Sequence, residues 1–210
     1  MLSIVSLTLG PVMTNTYIIV DENSGEAVVI DPADEGKRIA EELKERNWRL
    51  VSIWLTHAHF DHMGGSAELA DNSNPIPPVA LHAEDYQLWR IQGGAAFFGM
   101  KIDPGPEPTI ELKDDQELNI GEYKFQVVYA PGHTPGHVMF YNKSESVLIC
   151  GDVIFQGSIG RTDLPGGDFD TLITSIKTRV MTLPDETVLL SGHGPQSTVR
   201  IERQSNPFVR

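Results

Sequence analysis

A chain of 210 residues with 40% hydrophobic content holds enough apolar material for one large domain rather than two small ones. Its 29 acidic against 16 basic side chains leave a formal charge of −13, which repels the phosphate backbone that a nucleic-acid binder must neutralise, so nucleic acid is not an expected partner. The single cysteine, Cys150, excludes an intramolecular disulfide and fits a reducing compartment.

Residues 1–10 alternate like a strand and lack the basic n-region of a signal peptide. No apolar run approaches the roughly 20 residues that span a bilayer, so a cytoplasmic protein is expected. Strand-like runs at 3–9, 14–20 and 26–30 are separated by the turn residues Gly10-Pro11 and Glu22-Asn23-Ser24-Gly25, as in an antiparallel meander. After Asp34 comes an amphipathic helix with Ile39, Ala40 and Leu43 on one face and charged residues on the other.

A short apolar run at 50–55 ends in a histidine-rich segment, and Gly64-Gly65 leads into a helix through Ala67, Leu69 and Ala70. A strand at 79–81 and a helix at 83–91 precede a glycine- and proline-rich loop, 92–108, long enough to act as a lid. In the second half, strands are expected at 116–120, 123–129, 137–141 and 146–150, a helix at 169–181 and a strand at 187–190. The pattern is that of an α+β chain, and two sheets packed face to face with helices outside, a four-layer αββα sandwich, would accommodate it.

Chemistry concentrates in Thr56-His57-Ala58-His59-Phe60-Asp61-His62, which holds three of the seven histidines. In an extended strand end, His57 and His59 point to the same side and suit one ion, and Asp61 and His62 add a carboxylate and a third imidazole. Nitrogen and oxygen donors of this kind fit zinc, iron or manganese rather than calcium. Three later apolar strands each end in glycine followed by a potential ligand: Gly132-His133, Gly151-Asp152 and Gly192-His193. Glycine there allows a sharp turn at a sheet edge that aims one side chain into a shared pocket. His82 is read as structural or solvent-facing, and His137, four positions after His133, as orienting a ligand or packing.

Taken together, His57, His59, Asp61, His62, His133, Asp152 and His193 resemble the ligand series of the metallo-β-lactamase superfamily. The likeness runs from Thr14-Asn15-Thr16-Tyr17 to Gly192-His193-Gly194. The run Thr56 to Gly65 is similar to that of the type II glyoxalases, the hydroxyacylglutathione hydrolases, as is Pro131-Gly132-His133-Thr134-Pro135-Gly136-His137. Gly160-Arg161-Thr162-Asp163 is shared in style with those enzymes and with persulfide dioxygenases.

The resemblance implies a single αββα domain over 1–210. It places one ion on His57, His59 and His133, a second on Asp61, His62 and His193, and Asp152 between them. Zinc is the expected metal, with iron or manganese as alternatives. The metal pair would make hydroxide available near neutral pH, and Asp61 would bind metal and orient that nucleophile for thioester hydrolysis, S-lactoylglutathione being the model substrate. Only 17 residues follow His193, so the C-terminal helical domain of longer type II glyoxalases is not expected. Arg161 is the candidate for a substrate carboxylate, unless it pairs with Asp163. The alternatives are a single-iron persulfide dioxygenase, a lactone or phosphoester hydrolase, and a non-catalytic metal-binding scaffold.

Overall fold

The structure, a computed structural model, describes residues 1–209, and its contacts group into two compact units. The first comprises Met1–Leu112 and Asn119–Tyr123; the second comprises Lys113–Leu118 and the chain from Lys124 onward.

The first unit is built on a six-stranded sheet in simple chain order: β1 (Leu2–Leu9), β2 (Thr14–Asp21), β3 (Glu26–Ile30), β4 (Arg49–Trp54), β5 (Val79–His82) and β6 (Ile110–Leu112). The first three strands are antiparallel, as their short polar turns dictate, and β3 to β6 run parallel. Parallel neighbours require crossovers. These are supplied by α1 (Gly36–Glu45), α2 (Phe60–Met63), α3 (Ser66–Asp71) and α4 (Tyr86–Arg90). Helix α1 buries Ile39 and Leu43 in a cluster with Val20, Val29, Ile53 and Leu81. Burial of each such side chain contributes about 1.5–3 kcal/mol.

The second sheet has the order β14-β13-β10-β9-β8-β7, from β7 (Glu117–Ile120), β8 (Tyr123–Tyr129), β9 (Val138–Asn142), β10 (Val147–Gly151), β13 (Val188–Ser191) and β14 (Ser197–Thr198). A hairpin of β11 (Ile154–Phe155) and β12 (Ser158–Ile159) follows β10. Helix α5 (Phe169–Ser175) is capped by Asp168, whose carboxylate accepts the Thr171 N–H at 2.7 Å. The last helix, α6 (Val199–Ser205), is capped by Thr198. Leu148, Cys150, Leu172, Ile176, Leu189 and Val199 form the core of this unit.

Most expected elements appear within a residue or two. The helix expected over 83–91 begins as a 3₁₀ turn, Ala83–Asp85, and the one expected over 169–181 changes to a wider turn after Ser175. Strand β6, the β11–β12 hairpin and α6 were not expected, because each is too short or too polar to show a clear period. Among the described residues no helix is long and apolar enough to cross a membrane.

Candidate metal centre

Parallel strands gather chemistry at their carboxyl ends, where the loops leave the sheet. In the first unit Asp31 directly follows β3, and the histidine segment follows β4. The latter leaves the strand before His57, so the two expected strand-end histidines lie on the loop into α2. That loop is nonetheless closely packed: the His57 and His62 rings are fully buried, with centroids 4.1 Å apart, and the His57 and His59 rings are 4.8 Å apart.

Their protonation follows from what stands behind them. Asp31, at φ +51° and almost completely buried, accepts the Thr56 N–H at 2.7 Å, the Thr56 hydroxyl at 2.6 Å and Nδ1–H of His62 at 2.9 Å. Because the Thr56 proton is committed to Asp31, the Thr56 oxygen accepts from Nδ1 of His57, 3.0 Å away. Both imidazoles therefore carry their proton on Nδ1 and present an Nε2 lone pair, the arrangement of a metal-ligating histidine. Ligating atoms of Asp31, His57 and His62 lie within 4.8 Å of one another. Asp31, with three donors on its two oxygens, orients the histidines instead of ligating.

Asp61 is held from the other side by the Thr14 hydroxyl at 3.1 Å, and its Oδ2 lies 3.7 Å from Nε2 of His62. Two ligands around one ion at about 2.0–2.2 Å are separated by roughly 3–3.8 Å. The donor set and spacing fit a divalent ion. Thr16 braces the exit of β3, donating to the Asp31 carbonyl at 2.6 Å and accepting the Ala33 N–H at 3.1 Å. The buried Asp85 accepts the Ala58 N–H at 2.9 Å. The start of the 92–108 loop is a wall of this cluster: Gly93, at φ +63°, packs so closely that a Cβ would lie 2.2 Å from the Phe60 nitrogen.

The second unit assembles its own cluster. Two of the three glycines that precede ligands adopt positive φ, Gly132 at +129° and Gly151 at +49°, and a Cβ on Gly132 would meet the Leu172 backbone at 2.3 Å. Oδ2 of Asp152 lies 3.6 Å from Nε2 of His133 and 3.6 Å from Nε2 of His193. Nδ1 of His133 donates to the Arg161 carbonyl at 2.7 Å, which again turns Nε2 toward the acid. The buried His137 accepts the Asp152 N–H on Nε2 at 3.0 Å and so fixes the backbone of the acid, the orienting role expected for it. Phe155 packs edge-on against His193 at 6.0 Å.

Arg161 reaches this cluster through its carbonyl. Its Nε and Nη2 each bond an oxygen of Asp163 at 2.7 Å, and the guanidinium holds the Asp163 carboxyl at about 2, well below the usual range. His82 accepts the Glu84 N–H at 3.4 Å. The first unit thus gathers His57, His59, Asp61 and His62, and the second His133, Asp152 and His193. Sequence reasoning missed Asp31, Thr14 and Asp85. Asp31 carried a signal, since it ends the apolar run Val28-Val29-Ile30 as the later ligands end theirs, but without a preceding glycine.

Residues 9–193 match the family described as the metallo-beta-lactamase superfamily. The chain is 38% identical to "Probable metallo-hydrolase YqgX" of Bacillus subtilis (strain 168) across 97% of this chain and 95% of the relative. It is 34% identical to "Hydroxyacylglutathione hydrolase GloC" of Haemophilus influenzae across 93% and 92%. Among solved structures, the BLEG-1 B3 metallo-beta-lactamase matches with a TM-score of 0.92 at 37% identity, covering 99% of both chains. TTHA1623, solved in a di-iron-bound form, matches at 0.88 and 38%, covering 97% of this chain and 99% of the other. The expected fold class stands, and the His/Asp clusters with the di-iron relative support divalent metal binding. The chain belongs to the metallo-β-lactamase superfamily and is a metallo-hydrolase of that fold.

Proposed function

We propose that the two clusters act as one two-ion centre in a single domain and that this centre hydrolyses a thioester, with S-lactoylglutathione as the reference substrate. In this reading His57, His59 and His133 would hold one ion, Asp61, His62 and His193 would hold the other, and Asp152 would be shared between them. The observation that carries the reading is Asp152, one carboxylate oxygen standing 3.6 Å from an imidazole nitrogen on either side. Zinc fits the donor set, as do iron and manganese, and the di-iron relative supports iron.

Bound divalent ions supply an activated water and polarise the acyl carbonyl. The chain contributes pre-set geometry. His57, His62 and His133 keep Nε2 available because Nδ1 is already bonded, so no imidazole has to rotate or lose a proton. Asp61, steadied by Thr14, orients the attacking water. The oxygen of that water bonds to the acyl carbon, the C–S bond breaks, and the thiol leaves with a proton. Cys150 is no rival nucleophile, because complete burial pushes its thiol far above neutrality.

The thioester class rests on the likeness to the hydroxyacylglutathione hydrolase of Haemophilus influenzae. A small-molecule substrate accords with the net charge of −13, which opposes a polyanion. The reading is tested by assaying thioesters, lactones and phosphoesters with protein of measured metal content. Thioester hydrolysis that chelation removes and metal restores is expected. Hydrolysis by metal-free protein, or iron-dependent oxygen uptake on a glutathione persulfide, contradicts it.

A further inference from the structure

Glu202, on α6 of the second unit, is a fully buried acid that the metal chemistry does not use. Its carboxylate takes donors from three places: the Ser197 hydroxyl on β14, the Gly157 N–H at 2.8 Å in the turn between β11 and β12, and the Asn206 side-chain amide at 2.8 Å just after α6. Asn206 also donates to the Ser158 carbonyl at 3.0 Å. A buried acid stabilises a fold no better than a well-packed apolar residue of similar volume. What this one does is hold three elements in register.

Two of those elements lead to His193. Ser197 follows the turn 192–196 that carries His193, and the hairpin carries Phe155, whose ring meets the His193 ring edge-on at 6.0 Å, within the range of a favourable aromatic pair. Ahead of the histidine, the Ser191 hydroxyl donates to the Ile154 carbonyl at 2.6 Å and the Gly192 N–H to the Gly151 carbonyl at 2.8 Å. The His193 turn is therefore tied to the hairpin directly before the histidine and through Glu202 after it. His193 depends on such ties more than His133 does. Its side chain is 26% exposed against 2% for His133, and the next three residues, Gly194, Pro195 and Gln196, are exposed.

We infer that Glu202, together with Asn206, is a positioning residue for His193: it fixes the β11–β12 hairpin against the His193 turn, so that Phe155 sets the direction in which the ring faces the metal. The effect on metal binding rests on the two-ion reading; the effect on the ring itself does not.

The test compares two replacements of similar size. Glu202→Met offers no acceptor, whereas in Glu202→Gln the carbonyl can take Gly157 and Asn206 while the amide donates to the Ser197 oxygen. NMR of the zinc-loaded full chain reads the Cδ2–H and Cε1–H resonances of His193, and Phe155→Leu marks how far losing the Phe155 ring moves them. Glu202→Met is expected to move them most of the way to the Phe155→Leu positions and to leave those of His59 in place, while Glu202→Gln stays near the parent. Competition with a chelator should show one of two zinc equivalents weakened by about tenfold or more in Glu202→Met and the other unchanged. If Glu202→Met does not fold, Ser197→Ala, which removes a single donor, is read by the same criteria. His193 resonances at the parent positions, or parent affinity for both equivalents, overturn the inference, as does a Phe155→Leu variant that leaves His193 unmoved. If the parent itself binds fewer than two equivalents, the two-ion reading fails and the resonances alone decide the positioning role.

Discussion

Oδ2 of Asp31 stands 2.9 Å from Nδ1 of His62, and the same carboxylate takes both donors of Thr56, through which it also sets the His57 ring. One acid thus determines which nitrogen two buried imidazoles turn toward a metal. Asp31→Asn keeps the volume but replaces one acceptor oxygen with a donor group. It is expected to weaken metal binding by about 10–100-fold, read by competition with a chelator, while the fold persists by circular dichroism. Unchanged affinity would show that the tautomers are set elsewhere.

His137 performs the comparable service for Asp152 by accepting its backbone N–H. His137→Leu leaves that buried donor unsatisfied, at a cost of about 1–3 kcal/mol. His137→Gln, which retains an acceptor, is expected to recover part of the loss. Chemical denaturation with metal analysis of both variants checks this, and equal behaviour of Leu and Gln would assign His137 to packing.

Gly93 sets how closely the 92–108 segment approaches Phe60. Gly93→Ala places a Cβ in a left-handed residue against backbone, with a destabilisation of about 3 kcal/mol or more. A melting temperature within a degree of the parent would mean that the segment yields freely, as a lid would.

The Arg161–Asp163 pair gives a pH test. Arg161 depresses the folded-state titration of Asp163 from 3.8 to about 2. The pairing therefore contributes its full stabilisation above the unfolded value and is lost as pH falls through the folded one. A carboxyl titration followed by NMR should show a midpoint near the depressed value in the parent and near the ordinary value in Arg161→Gln. An ordinary midpoint in the parent would free the guanidinium for a substrate carboxylate.

Much of this was legible in the sequence because ligands of unusual type sit where apolar runs stop. His57, His59, Asp61 and His62 are read from one short segment, and His133 and Asp152 follow glycines whose positive φ the structure records. What escaped was the support. Thr14 and Asp85 look like ordinary polar residues until folding brings them 3.1 Å from Asp61 and 2.9 Å from the Ala58 nitrogen. Arg161 drew attention for its side chain, whereas its carbonyl is what bonds His133, a role that residue type cannot signal.

Metal titration of the stripped protein tests the two-ion centre most directly. The parent should take up about two equivalents of zinc or iron per chain, with thioester hydrolysis appearing in step. His57→Ala and Asp152→Ala, one from each unit, should each lose metal and all metal-dependent hydrolysis. Full hydrolysis by stripped protein, or undiminished metal uptake and activity in Asp152→Ala, would contradict it.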